Sequence, residues 1–180
     1  MDITDTRPSP RAAIAVTELY AGHALGLVRL AMLLVGDRAS AEDIVQEAFL
    51  GLYRRWDRLP DTSKPLAYLR VCVLNGCRTT LRRRSRLGLE AVAGFAEDSA
   101  ESAVPAESAE ARALLSEEQR AVAAALRKLP RRQREAVVLR YYLDLSEEET
   151  AQVMGVTRGT VKSATSRALA AVGRLLREES

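Results

Sequence analysis

The sequence predicts an all-α protein of two small helical domains joined by a flexible acidic linker, the second domain carrying a helix-turn-helix. Three observations point there. Apolar residues recur at spacings of three and four, and nowhere alternate as a half-buried strand requires. The composition is 47% hydrophobic but only 4% aromatic, which suits helices packed on Ala, Leu and Val. Finally, the stretch from Leu89 to Glu110 contains no Lys or Arg but carries Glu90, Glu97, Asp98, Glu101, Glu107 and Glu110. The net charge of +3 over 180 residues says little about partners. Its distribution, two basic segments flanking an acidic strip, says more.

In chain order, residues 1–11 read as a frayed, disordered tail containing Pro8 and Pro10. The first domain spans 12–87. Ile14, Val16, Leu19, Leu25, Val28 and Met32 predict a helix over Ala12–Val35, ended by Gly36 and Asp37. Ser40 is expected to cap the next helix, with Asp43 at its third position. Ile44, Val45, Ala48, Phe49, Leu52 and Trp56 form its apolar stripe. That stripe places Trp56 in the core, whereas Tyr68 fits either core packing or base stacking. His23 is a lone helical histidine, structural or solvated. Pro65 suits the first position of a third helix, which runs through Leu66, Leu69, Val73 and Leu81 to Arg82, Arg83, Arg84 and Arg86. Gly76 sits inside it at a cost of about 1 kcal/mol relative to Ala. Residues 88–115 read as the linker. The second domain, 116–180, begins with helices near Glu117–Leu129 and Arg131–Leu143, separated by Pro130.

Several function classes find no support. Cys72 and Cys77 lie five apart in a helical pattern and point in different directions, unlike a metal clip or redox pair. No Gly-rich phosphate loop, metal-ligand cluster or nucleophile–base pair stands out, so no catalytic residue, cofactor or metal is assigned. No apolar run approaches a membrane span, and the N-terminus lacks the apolar core of a secretory signal. The expectation is a soluble, cytoplasmic protein without membrane insertion.

The densest signal is SEEETAQVMGVTRGTVKSATSRAL, Ser146 to Leu169. Ser146 caps a short helix and Glu149 closes the box. Gly155 suits a tight turn, Val156 plugs the corner, and Thr157 caps a second helix. Val161, Ala168 and Val172 fall on the inward side of that helix, and Arg158, Thr160, Lys162, Ser163, Ser166 and Arg167 supply cations and hydroxyls for DNA. Arg and Lys pair with guanine edges or neutralise phosphates, and hydroxyls serve either role. Arg131, Arg132 and Arg134 sit at a helix start, where cations oppose the helix dipole. A phosphate partner and simple solvation both fit them.

Two stretches together resemble a known family. LPRRQREAVVLRYYLDLSEEETAQVMGVTRGTVKSATSRALAAV is similar to the fourth conserved region of bacterial sigma factors. ASAEDIVQEAFLGLYRRWDRL with PLAYLRVCVLNGCRTTLRRR is similar to their second region. Only these two regions are present, which resembles the extracytoplasmic-function (group 4) class of the sigma-70 family. The resemblance implies a promoter-specificity subunit that binds core RNA polymerase, recognises −35 and −10 promoter elements and promotes DNA opening. It assigns Arg158, Thr160, Lys162, Ser163, Ser166 and Arg167 to the −35 element. Asn75, Arg78, Thr79, Arg82 and Arg83 are assigned to the −10 region, the arginines holding phosphates and Asn75 and Thr79 an unstacked base. Asp43, Gln46 and Glu47, beside Phe49, are assigned to a coiled coil of the largest polymerase subunit. The resemblance also implies one copy per polymerase and an anti-sigma partner, with the linker threading the channel meant for nascent RNA. Where many relatives carry an Arg after the Lys-Ser pair, this chain has Ala164, which removes one expected backbone contact.

A coil of about 28 residues has an end-to-end distance of roughly 30 Å and stretches to about 95 Å. It therefore spans two elements about one and a half DNA turns, or roughly 50 Å, apart. The alternative reading is a stand-alone helix-turn-helix regulator whose N-terminal module senses or dimerises.

Overall fold

The computed structural model describes residues 9–59, 64–91 and 117–178. Three helices make the first module: α1 (Pro10–Val35), α2 (Arg38–Arg55), closed by a 3-10 turn at Trp56–Arg58, and α3 (Pro65–Ala91). Four make the second: α4 (Glu117–Arg127), α5 (Arg131–Tyr141), α6 (Glu147–Met154) and α7 (Arg158–Glu178). No strand occurs among the described residues. Most of the acidic stretch, 92–116, lies outside the described residues, and α3 continues to Ala91, past the point where the linker is expected to begin.

The first module is stitched at its corners by polar side chains. Helix α1 starts two residues before the sequence suggests, because Ser9 caps it. The Ser9 hydroxyl accepts from the Ala12 N–H (3.3 Å) and donates to Asp57 (2.8 Å), while Pro10 occupies the first turn. At the other end Gly36 takes φ 88° and returns its N–H to the Met32 carbonyl at 2.9 Å. The helix cap that follows is Asp37, not Ser40. With the chain turning at Gly36, the Asp37 carboxylate lies opposite the Ser40 N–H and accepts from it at 2.9 Å. The Ser40 hydroxyl instead receives Arg84 (2.6 Å), which also reaches Asp37 and the Val35 carbonyl. Burial alone would raise the Asp37 carboxyl. The Ser40 N–H and the Arg84 guanidinium outweigh it and hold the group below the usual carboxylate range.

Contrary to the sequence reading, one run is long and apolar enough by length and composition to cross a membrane: helix α1, with a mean hydropathy of 1.4 over its most apolar window. In this fold Leu27, Leu30, Ala31, Leu34 and Val35 of α1 are buried among the other helices, whereas Ile14, Tyr20 and Leu25 are exposed. Helices α2 and α3 complete that core through Val45, Phe49, Leu52, Leu69, Val73 and Leu74. Each fully buried Leu contributes about 1.5–3 kcal/mol. The mid-helix Gly76 has a packing reason: a Cβ there would meet Ile44 Cγ2 at 2.7 Å. Trp56 is half-buried against the core and shares a cleft with Leu19 and His23.

The second module realises its predicted signature. The Ser146 hydroxyl accepts from the Glu149 N–H (3.1 Å) and the Glu149 carboxylate accepts from the Ser146 N–H (2.9 Å). Gly155 ends α6 in the left-handed region at φ 69°. Thr157 accepts from the Thr160 N–H at 3.2 Å and opens α7. Val161, Ala164 and Ala168 face inward.

The two modules pack on one another, and one apolar cluster runs from α1–α3 into α5–α7. Arg134 crosses the junction. Only 6% exposed, it donates to the Leu34 carbonyl of α1 (2.9 Å) and to the Arg127 (2.7 Å) and Leu129 carbonyls. It thus serves the exposed carbonyl ends of two helices, a use that neither a phosphate partner nor solvation anticipates.

Candidate nucleic-acid interface

Helix α7 presents its polar side to solvent because its small apolar side is taken by the core. Lys162, Ser163, Ser166 and Arg167 are exposed and lie at spacings of one, four and five, forming a single face. Thr160 sits half-buried at the edge of this face, its hydroxyl 2.9 Å from that of Thr157. Arg158 is exposed but lies 3.7 Å from both Glu147 and Glu148 of α6, in pairs loose enough for a phosphate to displace. The face is therefore cationic, hydroxyl-rich and backed by a rigid two-helix turn. Ala164 lies on the opposite, buried side, 8% exposed. An arginine at this position would point into the core, so the departure from the relatives' pattern leaves this face intact.

The basic edge of α3 is divided. Asn75, Thr79, Arg82 and Arg83 are exposed at spacings of four, seven and eight and make one stripe. The Arg82 guanidinium donates to the Thr79 hydroxyl at 3.4 Å. Arg78 points instead toward the second module. Its Nε and Nη2 donate to the two oxygens of Glu135 at 2.9 and 2.7 Å, and Nη2 also donates to the Met154 carbonyl at 3.2 Å. Hydrogen bonding to Glu135 raises the Arg78 pKa. Arg84, in the same cluster by sequence, is spent on the Asp37 corner.

Helix α2 carries the third group. Asp43, Gln46 and Glu47 are exposed along one face, and the exposed Leu50 continues it. Phe49 is not on this outer surface. It is 4% exposed and meets Tyr20 of α1 edge-on, ring centroids 5.0 Å apart. Phe49 forms the floor of a shallow apolar groove between α1 and α2, with Val16, Tyr20, Gln46, Leu50 and Tyr53 around it. Leu50, one turn after Gln46 on α2, and Tyr20 on α1 are not among the residues that the resemblance marked. Tyr68 is half-buried against the core, where burial and its hydrogen bond with Cys72 raise the phenol pKa.

No cluster of three or more His, Cys, Asp or Glu residues able to hold a metal ion occurs among the described residues. Burial, with Glu135 nearby, pushes the Cys77 thiol up to about 12, so it stays protonated.

Comparison with known proteins matches both modules. Residues 19–87 match the family described as Sigma-70 region 2, and residues 115–172 match Sigma-70, region 4. The chain is 37% identical over 153 residues to the RNA polymerase sigma-E factor of Streptomyces coelicolor, covering 85% of this chain and 78% of the relative. It is 30% identical over 166 residues to the ECF RNA polymerase sigma factor SigL of Mycobacterium tuberculosis, covering 92% of this chain and 91% of that one. Among solved structures, the sigma factor RpoE of Bartonella quintana, in complex with the anti-sigma factor NepR, is similar at a TM-score of 0.68 and 27% identity. That likeness covers 89% of this chain and 95% of that one. CnrH, in complex with the cytosolic domain of CnrY, is similar at 0.65 and 26% identity, with 93% and 91% covered.

Proposed function

The chain belongs to the extracytoplasmic-function class of the sigma-70 family, and from that premise we propose how its faces divide the work. The protein is a promoter-specificity subunit that binds core RNA polymerase, recognises −35 and −10 elements and promotes DNA opening. It acts in the cytoplasm by binding and not by catalysis. Its partners are core polymerase, promoter DNA and an anti-sigma factor, and it works as one copy per polymerase.

In this reading residues 116–180 form the −35-reading domain, 12–87 the polymerase- and −10-binding domain, and 88–115 the linker. The outer face of α7 is the observation that carries the assignment. Lys162, Ser163, Ser166 and Arg167 enter the major groove, with Thr160 and Arg158 at the rim on phosphates. The stripe of Asn75, Thr79, Arg82 and Arg83 holds the opened strand, phosphates on the arginines and an unstacked base on Asn75 and Thr79. Arg78 joins that edge once freed from Glu135. Opening requires only that the open form bind better; a flipped base costs a few kcal/mol, which these contacts recover. Asp43, Gln46 and Glu47 dock on polymerase, with the groove floored by Phe49 supplying apolar area.

In-vitro transcription with purified core polymerase tests the reading. Promoter-specific transcripts should require both core and this chain. A stand-alone regulator would instead protect its own paired half-sites as a dimer without polymerase.

A further inference from the structure

Helix α1 turns Leu27, Leu30 and Leu34 to the core and leaves its opposite side uncovered. On that side Ile14 and Leu25 are 63% and 64% exposed, the two most exposed large apolar side chains among the described residues. Ala21, exposed, and Val28 and Met32, half-buried, lie in line with them at successive spacings of seven, four, three and four. Such spacings return to one line on a 3.6-residue helix, giving an apolar stripe about 27 Å long. Beside the stripe the backbone is bare: a Cβ at Gly22 or Gly26 would meet nothing within 4 Å. Continuous exposed apolar surface of this kind marks an interaction site. The stripe is distinct from the groove floored by Phe49, which opens on another side of α1, at Val16 and Tyr20.

The pattern of the stripe says what covers it. It is symmetric end to end: Ile14 and Met32 stand nine residues either side of His23, and Ala21 and Leu25 two either side. Glu18 and Arg29 share one edge of the stripe and are centred on nearly the same point. A second α1 laid antiparallel across this point therefore sets Ile14 against Met32 of the other copy and Ala21 against Leu25 of the other copy. A two-fold axis brings like edges together, so Glu18 of each copy meets Arg29 of the other. Parallel pairing would instead set Glu18 on Glu18 and Arg29 on Arg29. Arg29 is steadied beside the stripe by the Tyr142 hydroxyl, which itself donates to the Gly26 carbonyl at 3.3 Å. A guanidinium has donors to spare for a carboxylate as well.

We propose that two copies of the free protein pair through the outer face of α1, antiparallel, with Leu25 near the two-fold axis. Apolar area supplies the affinity, and the two Glu18–Arg29 pairs set the register. One helix about 10 Å wide and about 27 Å long covers less than the roughly 800 Å² per partner of a standard interface. The dimer is accordingly reversible, and free monomer rises less than in proportion to total protein. The pairing belongs to the chain before it joins polymerase and does not rest on the promoter reading.

Sedimentation velocity of the full chain, from micromolar to submillimolar concentration, tests the pairing. Wild type should pass from monomer to dimer as concentration rises. Leu25→Glu keeps helix propensity and should raise the dissociation constant about tenfold or more, the effect of losing a central apolar anchor. Glu18→Arg and Arg29→Glu should each weaken pairing severalfold, and the exchanged pair Glu18→Arg/Arg29→Glu should restore it. Circular dichroism and thermal melts of each variant should match wild type, because these side chains are exposed. Leu25→Glu should still support promoter-specific transcription with core polymerase, so failure of the pairing and failure of the promoter reading are told apart. A wild type that stays monomeric throughout, or a Leu25→Glu variant that pairs like wild type, overturns the proposal. A monomeric wild type whose Leu25→Glu variant loses core polymerase also overturns it and gives the face to the polymerase. Failure of the exchanged pair to restore association overturns the antiparallel register.

Discussion

Helices α3 and α7 carry comparable sets of cations, yet they spend them differently. On α7 the polar face is left to solvent, and Arg158 is held loosely at 3.7 Å. On α3, Arg84 pins the corner where α1 meets α2, Arg78 reaches across to Glu135, and Arg82 and Arg83 stay outward. The difference teaches that the number of arginines on a helix overstates what it offers DNA. What remains after the fold has taken its share decides. A helix on the rim of the second module keeps its polar face, while one shared between two modules keeps only part of it.

The sharpest break in this comparison lies between neighbouring residues of α3. Leu74 is fully buried and Asn75 exposed. Leu74→Ala should cost about 2–5 kcal/mol in urea unfolding. Asn75→Ala should leave stability within about 0.5 kcal/mol while reducing open-complex formation by permanganate footprinting. Comparable stability losses from both would mean that α3 has no free edge.

Next in size is Arg167→Ala on α7. It should cost about 1–3 kcal/mol in binding to the upstream element and, if its contact is to phosphate, lower the salt slope by about 1. Unchanged promoter selection and affinity would show the recognition helix to be turned the other way. Ser146→Ala removes half of the capping box and should cost about 0.5–2 kcal/mol in thermal or urea unfolding, with DNA binding falling only as the fold loosens.

The smallest effect concerns the corner that consumes Arg84. Because the fold holds the Asp37 carboxyl below its ordinary value, its ionised form stabilises the native state. That contribution is complete above the ordinary aspartate range and is lost as pH falls through the lowered value. Asp37→Asn should therefore flatten the acid limb of the stability curve, lowering stability modestly at neutral pH and changing little once pH is below the lowered value.

The helices and the turn chemistry were legible in the sequence because they depend on local rules. Apolar spacing located α1 to α3, and Ser146, Glu149, Gly155 and Thr157 each do what their residue types and spacing predict. Caps that depend on a distant partner were harder to see. Ser40 looks like a cap until Arg84, far along the chain, claims its hydroxyl and leaves the N–H to Asp37. The cations at 131–134 fit a phosphate partner and solvation alike, because nothing local reveals that Arg134 will meet the end of α1. Phe49 lies beside Gln46 and Leu50, but sequence spacing could not tell the floor of a groove from its rim. The likeness to sigma factors was visible without coordinates. The pairing of Arg78 with Glu135 was not, because it joins residues 57 apart across two modules.

Gly76 has a consequence beyond its packing. With a Cβ there only 2.7 Å from Ile44 Cγ2, and Ile44 stiff at its branched carbon, the missing methyl sets how closely α2 and α3 can lie. In the proposed reading one of these helices carries the polymerase-facing residues and the other the strand-facing residues. Gly76 is thus a shim of zero thickness between machine and template. An alanine in its place would cost about 1–3 kcal/mol in overpacking and would also shift where the melted strand is delivered relative to the polymerase, an error of alignment instead of affinity.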